Sequence, residues 1–287
     1  MSAYVQRHEF SVEGLAERAV NLDRSARRKI DRLEESPSGF NLAFGSSLLA
    51  AQMHCAVDPR ANDLPTWEAW VTAMQVGSAL FASATADGPD IECRIADKAR
   101  AIPALNGPQH FTDPGTWLNA FWLAIICREQ DRLLQLVNVP VELLRASGAV
   151  FDEYIYVWVE ALQTAWRQGG DVGALLTAAM DGTSPESIQV ADADLVLKVL
   201  YPPINLFYRY LAREPEQFNE ALRDALRWHK VYWSQDEERA TSSAGFVAVG
   251  PLAMACLALD AGFPVEVESE YLPQHLLQRA WVGEFET

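Results

Sequence analysis

The 287-residue sequence has no C-x-x-C pair, no low-complexity linker and no apolar run long enough to cross a bilayer. Each absence excludes a class of protein. Cys55, Cys93, Cys127 and Cys256 lie far apart, three of them in apolar, helix-like stretches. They read as reduced thiols that fill a core, not as zinc ligands or disulfides. The longest apolar run, "WLNAFWLAIIC" (117 to 127), is too short for a membrane span and contains Asn119. "MSAYVQRHEF" lacks the apolar centre of a secretory signal. These features predict a soluble, cytoplasmic protein with no membrane partner. Residues 1–287 read as one domain, with an N-terminal amphipathic helix (1–37) and a core (38–287).

Catalytic signatures are missing too. His8, His54, His110, His229 and His275 are scattered, and none pairs at metal-ligand spacing. There is no H-E-x-x-H, no E-x-x-H, no phosphate-binding glycine loop, no dinucleotide fingerprint and no G-x-S-x-G. The sequence therefore predicts neither a bound metal nor a cofactor.

Basic residues are scarce. Lys and Arg number 23 against 39 Asp and Glu, a net charge of -16. The first 35 residues are neutral, with seven of each sign, so the whole deficit falls on the rest. Such a surface repels nucleic acid and attracts a basic protein, although solubility alone accounts for it equally well.

What is present is helix, short Pro/Gly loop, helix. Leu15, Ala19, Leu22, Ala26, Ile30 and Leu33 form one amphipathic stripe behind Ser11, read as its cap. A second helix is expected over about 40–56. Thr66 and Thr116 read as caps of "TWEAWVTAMQVGSALFASA" and of "WLNAFWLAIICREQDRLLQLV", the latter breaking near Glu129. A short helix is expected near 92–100. Helices are also expected over 151–168 and within "GGDVGALLTAAMDG" (169–182), then a pair joined at Pro202-Pro203. Phe218, Leu222, Ala225, Leu226, His229 and Trp233 mark the clearest helical period. Only "FPVEVESEYL" alternates strictly. The fold class is all-α, a helical bundle or αα-hairpin array with at most one short extended segment, around 264–270.

Two constellations are candidates for function. "VEVESEYLPQHLL" places Glu266, Glu268 and Glu270 on one face of an extended segment, with His275 beyond. Arg279 is the only basic residue after 260, against Asp260, Glu266, Glu268, Glu270, Glu284 and Glu286. "SQDEER" adds Asp236, Glu237 and Glu238. One histidine from another element is a poor complement for a metal, so an acidic face fits better, with Tyr271 as an aromatic anchor for a partner. The enzyme-like alternative gathers Asp152, Tyr156, Tyr208, Arg209 and His229 as a proton-transfer set in an aromatic pocket. A core histidine and surface acids explain those residues more simply.

"PTWEAWVTAMQVGSALFASATA", "DEYIYVWVEALQTAW", "LYPPINLFYRYL", "FNEALRDALRWHKVYW" and "GPLAMACLALDAGFPVEVESEYLPQHLLQRAWVGEF" together resemble the immunity protein 49 family of bacterial polymorphic toxin systems, from about residue 40 onward. The resemblance implies a cytoplasmic antitoxin that binds a cognate toxin domain and blocks it. It assigns no role to an individual residue. A small-molecule enzyme or binding protein, or a helical scaffold for an ordinary partner, are the competing classes.

Overall fold

Apolar residues recur at helical spacing through most of the chain, and helices form where they do. The computed structural model describes residues 3–284. It runs β1 (Ala3–Tyr4), α1 (Leu15–Asp31), α2 (Phe40–Val57), α3 (Leu64–Ala84), the hairpin β2 (Asp90–Ile95) and β3 (Lys98–Pro103), α4 (Pro114–Cys127), α5 (Gln130–Val137) and α6 (Val141–Arg145). Then follow α7 (Glu153–Arg167), α8 (Val172–Asp181), α9 (Ala193–Leu195), a π-helical turn (Val196–Leu200), α10 (Tyr201–Leu211) and α11 (Pro215–Trp233). Last come α12 (Glu237–Thr241), α13 (Val249–Asp260), β4 (Val267–Glu268) and α14 (Gln274–Leu277). The protein is 63% helical, which makes it all-α despite its short strands.

α3, α4 and α13 are apolar on every side, so they can be stable only when surrounded. α3 lies against α2 and α4, and α13 lies against α4, α10 and α11. The core around them extends from Val5 to Leu276, and a smaller cluster of Leu15, Ala19, Met53, Ala56 and Phe246 sits beneath α1. The amphipathic helices α1, α7, α10 and α11 turn their apolar stripes inward onto this centre. The segment Ser243–Asp260 is apolar enough to cross a membrane by composition alone, but 72% of it is buried inside the molecule, as a core helix is.

Three caps differ from expectation. Asp113 caps α4, accepting from Thr116 N at 2.8 Å and Thr116 Oγ1 at 3.0 Å. Asp63 stands at the head of α3, and Asp58 holds the loop before it by accepting from Asn62 N, Asp63 N and Thr66 Oγ1. A carboxylate is the stronger acceptor, so the threonines serve as donors here. α1 starts after Gly14, whose φ of 70° suits glycine. Ser11 stays outside it.

Three elements need correction. The helix expected near 92–100 is the β2–β3 hairpin, in which Ile95 and Ile102 are buried. Arg100 on β3 donates to Asp31 Oδ1 at 2.9 Å and Glu34 Oε1 at 2.8 Å. The two-residue alternation of Ile91, Cys93 and Ile95 is the signal, and tertiary packing selected it over helix propensity. The extended segment expected around 264–270 narrows to β4, which pairs in parallel with β1. The helices expected to join at Pro202-Pro203 are instead continuous through the π-helical turn. Residues 202 and 203 have no N–H for the carbonyls of Lys198 and Val199, and the ladder loosens just ahead of them.

Gly77 of α3 sits where three helices meet. A Cβ there would lie 2.7 Å from Phe44 of α2 and 3.0 Å from Ala120 of α4. Replacement by alanine gains about 1 kcal/mol of helix propensity but overpacks the contact by about 1–3 kcal/mol. Gly45, in α2 with open space around it, has no such conflict. Thermal melting should show Gly77→Ala less stable than the parent and Gly45→Ala more stable. Equal melting temperatures would mean that the three-helix contact is not tight.

Candidate functional site

The C-terminal acidic segment is strapped down on both sides. Val5 N donates to Glu268 O at 2.9 Å, and Glu266 N donates to Asn219 Oδ1 of α11 at 2.7 Å. Asn219 also donates to Pro264 O at 2.7 Å. The side chains of Glu266 and Glu268 stand in solvent. Glu270 is half-buried, 3.6 Å from Arg7 Nε. Arg7 is itself buried and donates to Cys55 O at 2.8 Å. Glu268 and Glu270 line an open groove of about 1040 Å³ together with Tyr4, the strand neighbour of Glu268, and with Val57, Arg60 and Asp63. The acidic edge is therefore a real surface feature with a concavity beside it. Glu286 lies outside the described residues.

Asp236, Glu237 and Glu238 are exposed at the start of α12, where Asp236 Oδ1 accepts from Arg239 N at 2.7 Å and so caps the helix. Tyr271 is not on the surface. It is fully buried, which corrects its reading as a partner anchor. Its hydroxyl accepts from His8 N at 3.0 Å and meets His8 Nδ1 at 2.8 Å. His8 Nε2 donates to Ala240 O at 3.1 Å, so in the neutral ring Nδ1 is the acceptor and Tyr271 O–H donates to it. The ring of His229 packs edge-on against Tyr271, with centroids 4.7 Å apart. The phenol is a clasp between the two ends of the sequence.

The proton-transfer set does not assemble as proposed. Asp152 is buried and accepts from the N–H groups of Gln189, Val190 and Ala191 at 2.7–3.0 Å. Burial raises its pKa, but these three donors outweigh it and hold the carboxyl below its usual range. Its role is to pin the loop ahead of α9. Tyr156 lies beneath the Arg145 guanidinium, 4.2 Å from ring centroid to carbon. Arg209 pairs with Glu214 at 2.6 Å and covers exposed Tyr208. His229 Nε2 donates to Gly245 O at 3.0 Å. Sequence spacing placed Asp152, Tyr156 and His229 on helices, but it could not show that their polar atoms are already engaged.

A different pocket exists. A cavity of about 420 Å³ is lined by Trp122, Tyr154, Trp158, His229, Trp233 and the backbone around Gly250, without Asp152, Tyr156, Tyr208 or Arg209. Tyr154, two residues before the expected Tyr156, is the tyrosine that reaches it. The Trp233 Nε1 donor is buried and meets no protein acceptor. Among the described residues no three His, Cys, Asp or Glu side chains gather to hold a metal ion.

The family model of immunity protein 49 matches residues 58–276, from the loop before α3 through most of α14. The chain belongs to the immunity protein 49 family. Membership implies an immunity protein rather than an enzyme. The match excludes α1 and α2; α2 packs on α3 within the matched region, and α1 packs on α2. The match includes the C-terminal acidic edge, the α12 cluster and most of the pocket beside Trp158, whose remaining wall, Gly45, Leu48, Leu49 and Gln52, belongs to α2. No curated protein and no solved structure matches the chain significantly.

Burial pushes His229 down to about 4, only partly offset by its bond to Gly245 O, and His8 is lowered for the same reason. The His229 ring stays neutral in the folded protein until the pH nears 4, whereas in the unfolded chain it takes up a proton from about the ordinary 6.5. The associated stability is complete above pH 6.5 and falls as pH drops toward 4, by about 3 kcal/mol for His229. Urea melts across this range should show that loss, and His229→Gln should flatten it. An identical slope in the variant would show that other groups carry the pH dependence.

Proposed function

We propose that this protein neutralises a cognate toxin domain in the cytoplasm of the producing cell by binding it through an acidic surface. Family membership is the observation that carries this reading. The charge agrees with it. A basic toxin, a nuclease for instance, would be steered toward a surface of net charge -16, and steering of this kind raises association rates more than it raises affinity. Glu266, Glu268 and the Asp236–Glu238 cluster are the exposed acids we assign to that surface. Glu270 contributes to the field while anchored to Arg7.

The pocket beside Trp158 supports a second reading, a small-molecule site, because the unpartnered Trp233 indole is available to donate to a ligand acceptor. Native mass spectrometry of the protein purified from its own host separates the two readings. A stoichiometric small molecule that survives gel filtration favours the cavity.

The test of the main reading is coexpression with each adjacent open reading frame, followed by association kinetics with any product that proves toxic alone. Wild-type protein should restore growth, and its on-rate should fall as salt rises. Reversal of Glu237, Glu238, Glu266 and Glu268 to Lys should slow association at low salt by about tenfold or more. Glu270 is left intact because a lysine there would face buried Arg7. A rate indifferent to both salt and reversal would reduce the acidic surface to a solubility feature. Failure to restore growth would remove the immunity reading itself.

A further inference from the structure

Nine tryptophans occur in this chain, and Trp228 is the one left standing in solvent, 49% exposed. It projects from α11 at the rim of a groove of about 420 Å³ that runs between α11 and the π-helical turn with α10. Two small residues on α11, Ala221 and Ala225, form the floor, one and two turns from Trp228. Leu197, Tyr201 and Pro202 form the opposite wall. Leu197 is also exposed, at 38%. A chain that buries most of its other tryptophans thus leaves an aromatic wall, an aliphatic wall and an alanine floor facing water.

The rim is acidic. Asp224 lies on the same side of α11 as Trp228, with Glu220 one turn further back, and Asp194 faces them across the groove. Gln235 donates to Asp194 Oδ2 at 2.7 Å, which joins this rim to the Asp236–Glu238 cluster. The cations nearby are already matched: Lys198 with Asp194 at 2.6 Å, Arg227 with Asp224 at 3.3 Å and Arg239 with Asp236 at 3.4 Å. Asp194 and Asp224, the two carboxylates that line the slot, are each paired, so its negative surroundings come from exposed Glu220 on α11 and from Glu237 and Glu238 on the adjoining α12.

We propose that this groove, centred on Trp228, is where the toxin domain docks, and that it takes a basic segment inserting one apolar side chain between Trp228 and Leu197, flanked by lysine or arginine. The inference rests on the immunity reading and places its aromatic anchor at Trp228, the role that buried Tyr271 cannot fill. Exposed tryptophan in a concave apolar site is the usual chemistry of an energetic hot spot, and the carboxylates around it supply orientation and on-rate. The floor alanines matter because only small side chains leave room for the inserted group.

The experiment measures affinity of the protein, by calorimetry, for the catalytically inactivated toxin domain identified among the adjacent open reading frames by the coexpression test. Trp228→Ala should weaken binding by about 30-fold or more. Ala221→Leu fills the slot without altering charge and should weaken it comparably. Tyr4→Ala, in the groove beside β4, should leave affinity within about threefold of the parent. Thermal melts establish that each variant is folded, and hydrogen exchange on the wild-type complex should show protection over 194–202 and 221–231. If the wild-type chain binds while Trp228→Ala and Ala221→Leu bind equally well, the site is overturned and the immunity reading stands. Weakening by Tyr4→Ala alone would move the docking face to the other groove and also overturn it. If the wild-type chain does not bind the toxin, both fall together.

Discussion

The close contact of α2, α3 and α4 around Gly77 is the constraint on which the rest of the structure depends. α3 and α4 carry too much apolar surface to face water, so every other helix must be placed to cover them. Trp117 stacks on Phe121 at 4.7 Å, and its indole donates to Leu136 O at 2.9 Å, which draws α5 onto the same centre. Arg128, at the end of α4, is buried and donates to Leu276 O, Leu277 O and Asp260. One guanidinium thereby closes the ends of α13 and α14 over α4. Aromatic richness in this chain mainly reports the size of the core, and the cavity beside Trp158 is a gap within that packing.

Long helices were legible wherever the apolar period was clean. α11 follows its Phe218-to-Trp233 stripe, and α4 breaks beside Glu129 as its composition predicts. What could not be read were partnerships across large separations. β4 pairs with β1, whose two residues offer no strand signal on their own. Arg100 selects a hairpin at 90–103 by reaching Asp31 and Glu34 on α1 and the turn after it. At the candidate site, the exposure of Glu266, Glu268 and the α12 acids followed from local charge density. The burial of Tyr271 did not, because its partner His8 is 263 residues away. Trp228 was hidden for the opposite reason. A tryptophan on an amphipathic helix is expected to turn inward, and only the packing of α11 shows that this one points out.

The acidic excess is spread over the surface in a particular way. Several conspicuous carboxylates do internal work: Asp58 ties a loop, Asp113 and Asp236 cap helices, and Asp152 pins the approach to α9. The exposed charges that face a partner are fewer than a count suggests, and they include the α12 corner and the β4 edge. Exposed pairs of this kind contribute little singly, typically below about 1 kcal/mol, so their combined field matters more than any one of them.

The clasp between His8 and Tyr271 has a consequence for the life of the nascent chain. At roughly 5–20 residues per second, ribosomes need about 15–50 s to travel from one to the other. Through that interval the aromatic cluster of Phe10 and Phe246, 4.4 Å apart in the finished molecule, has no closed state to enter. A product stalled or cleaved before residue 271 keeps a frayed N-terminal segment and a hydrophobic seam that proteases and chaperones can recognise. A chain that lacks residue 271 thus cannot form the His8–Tyr271 bonds that close this seam.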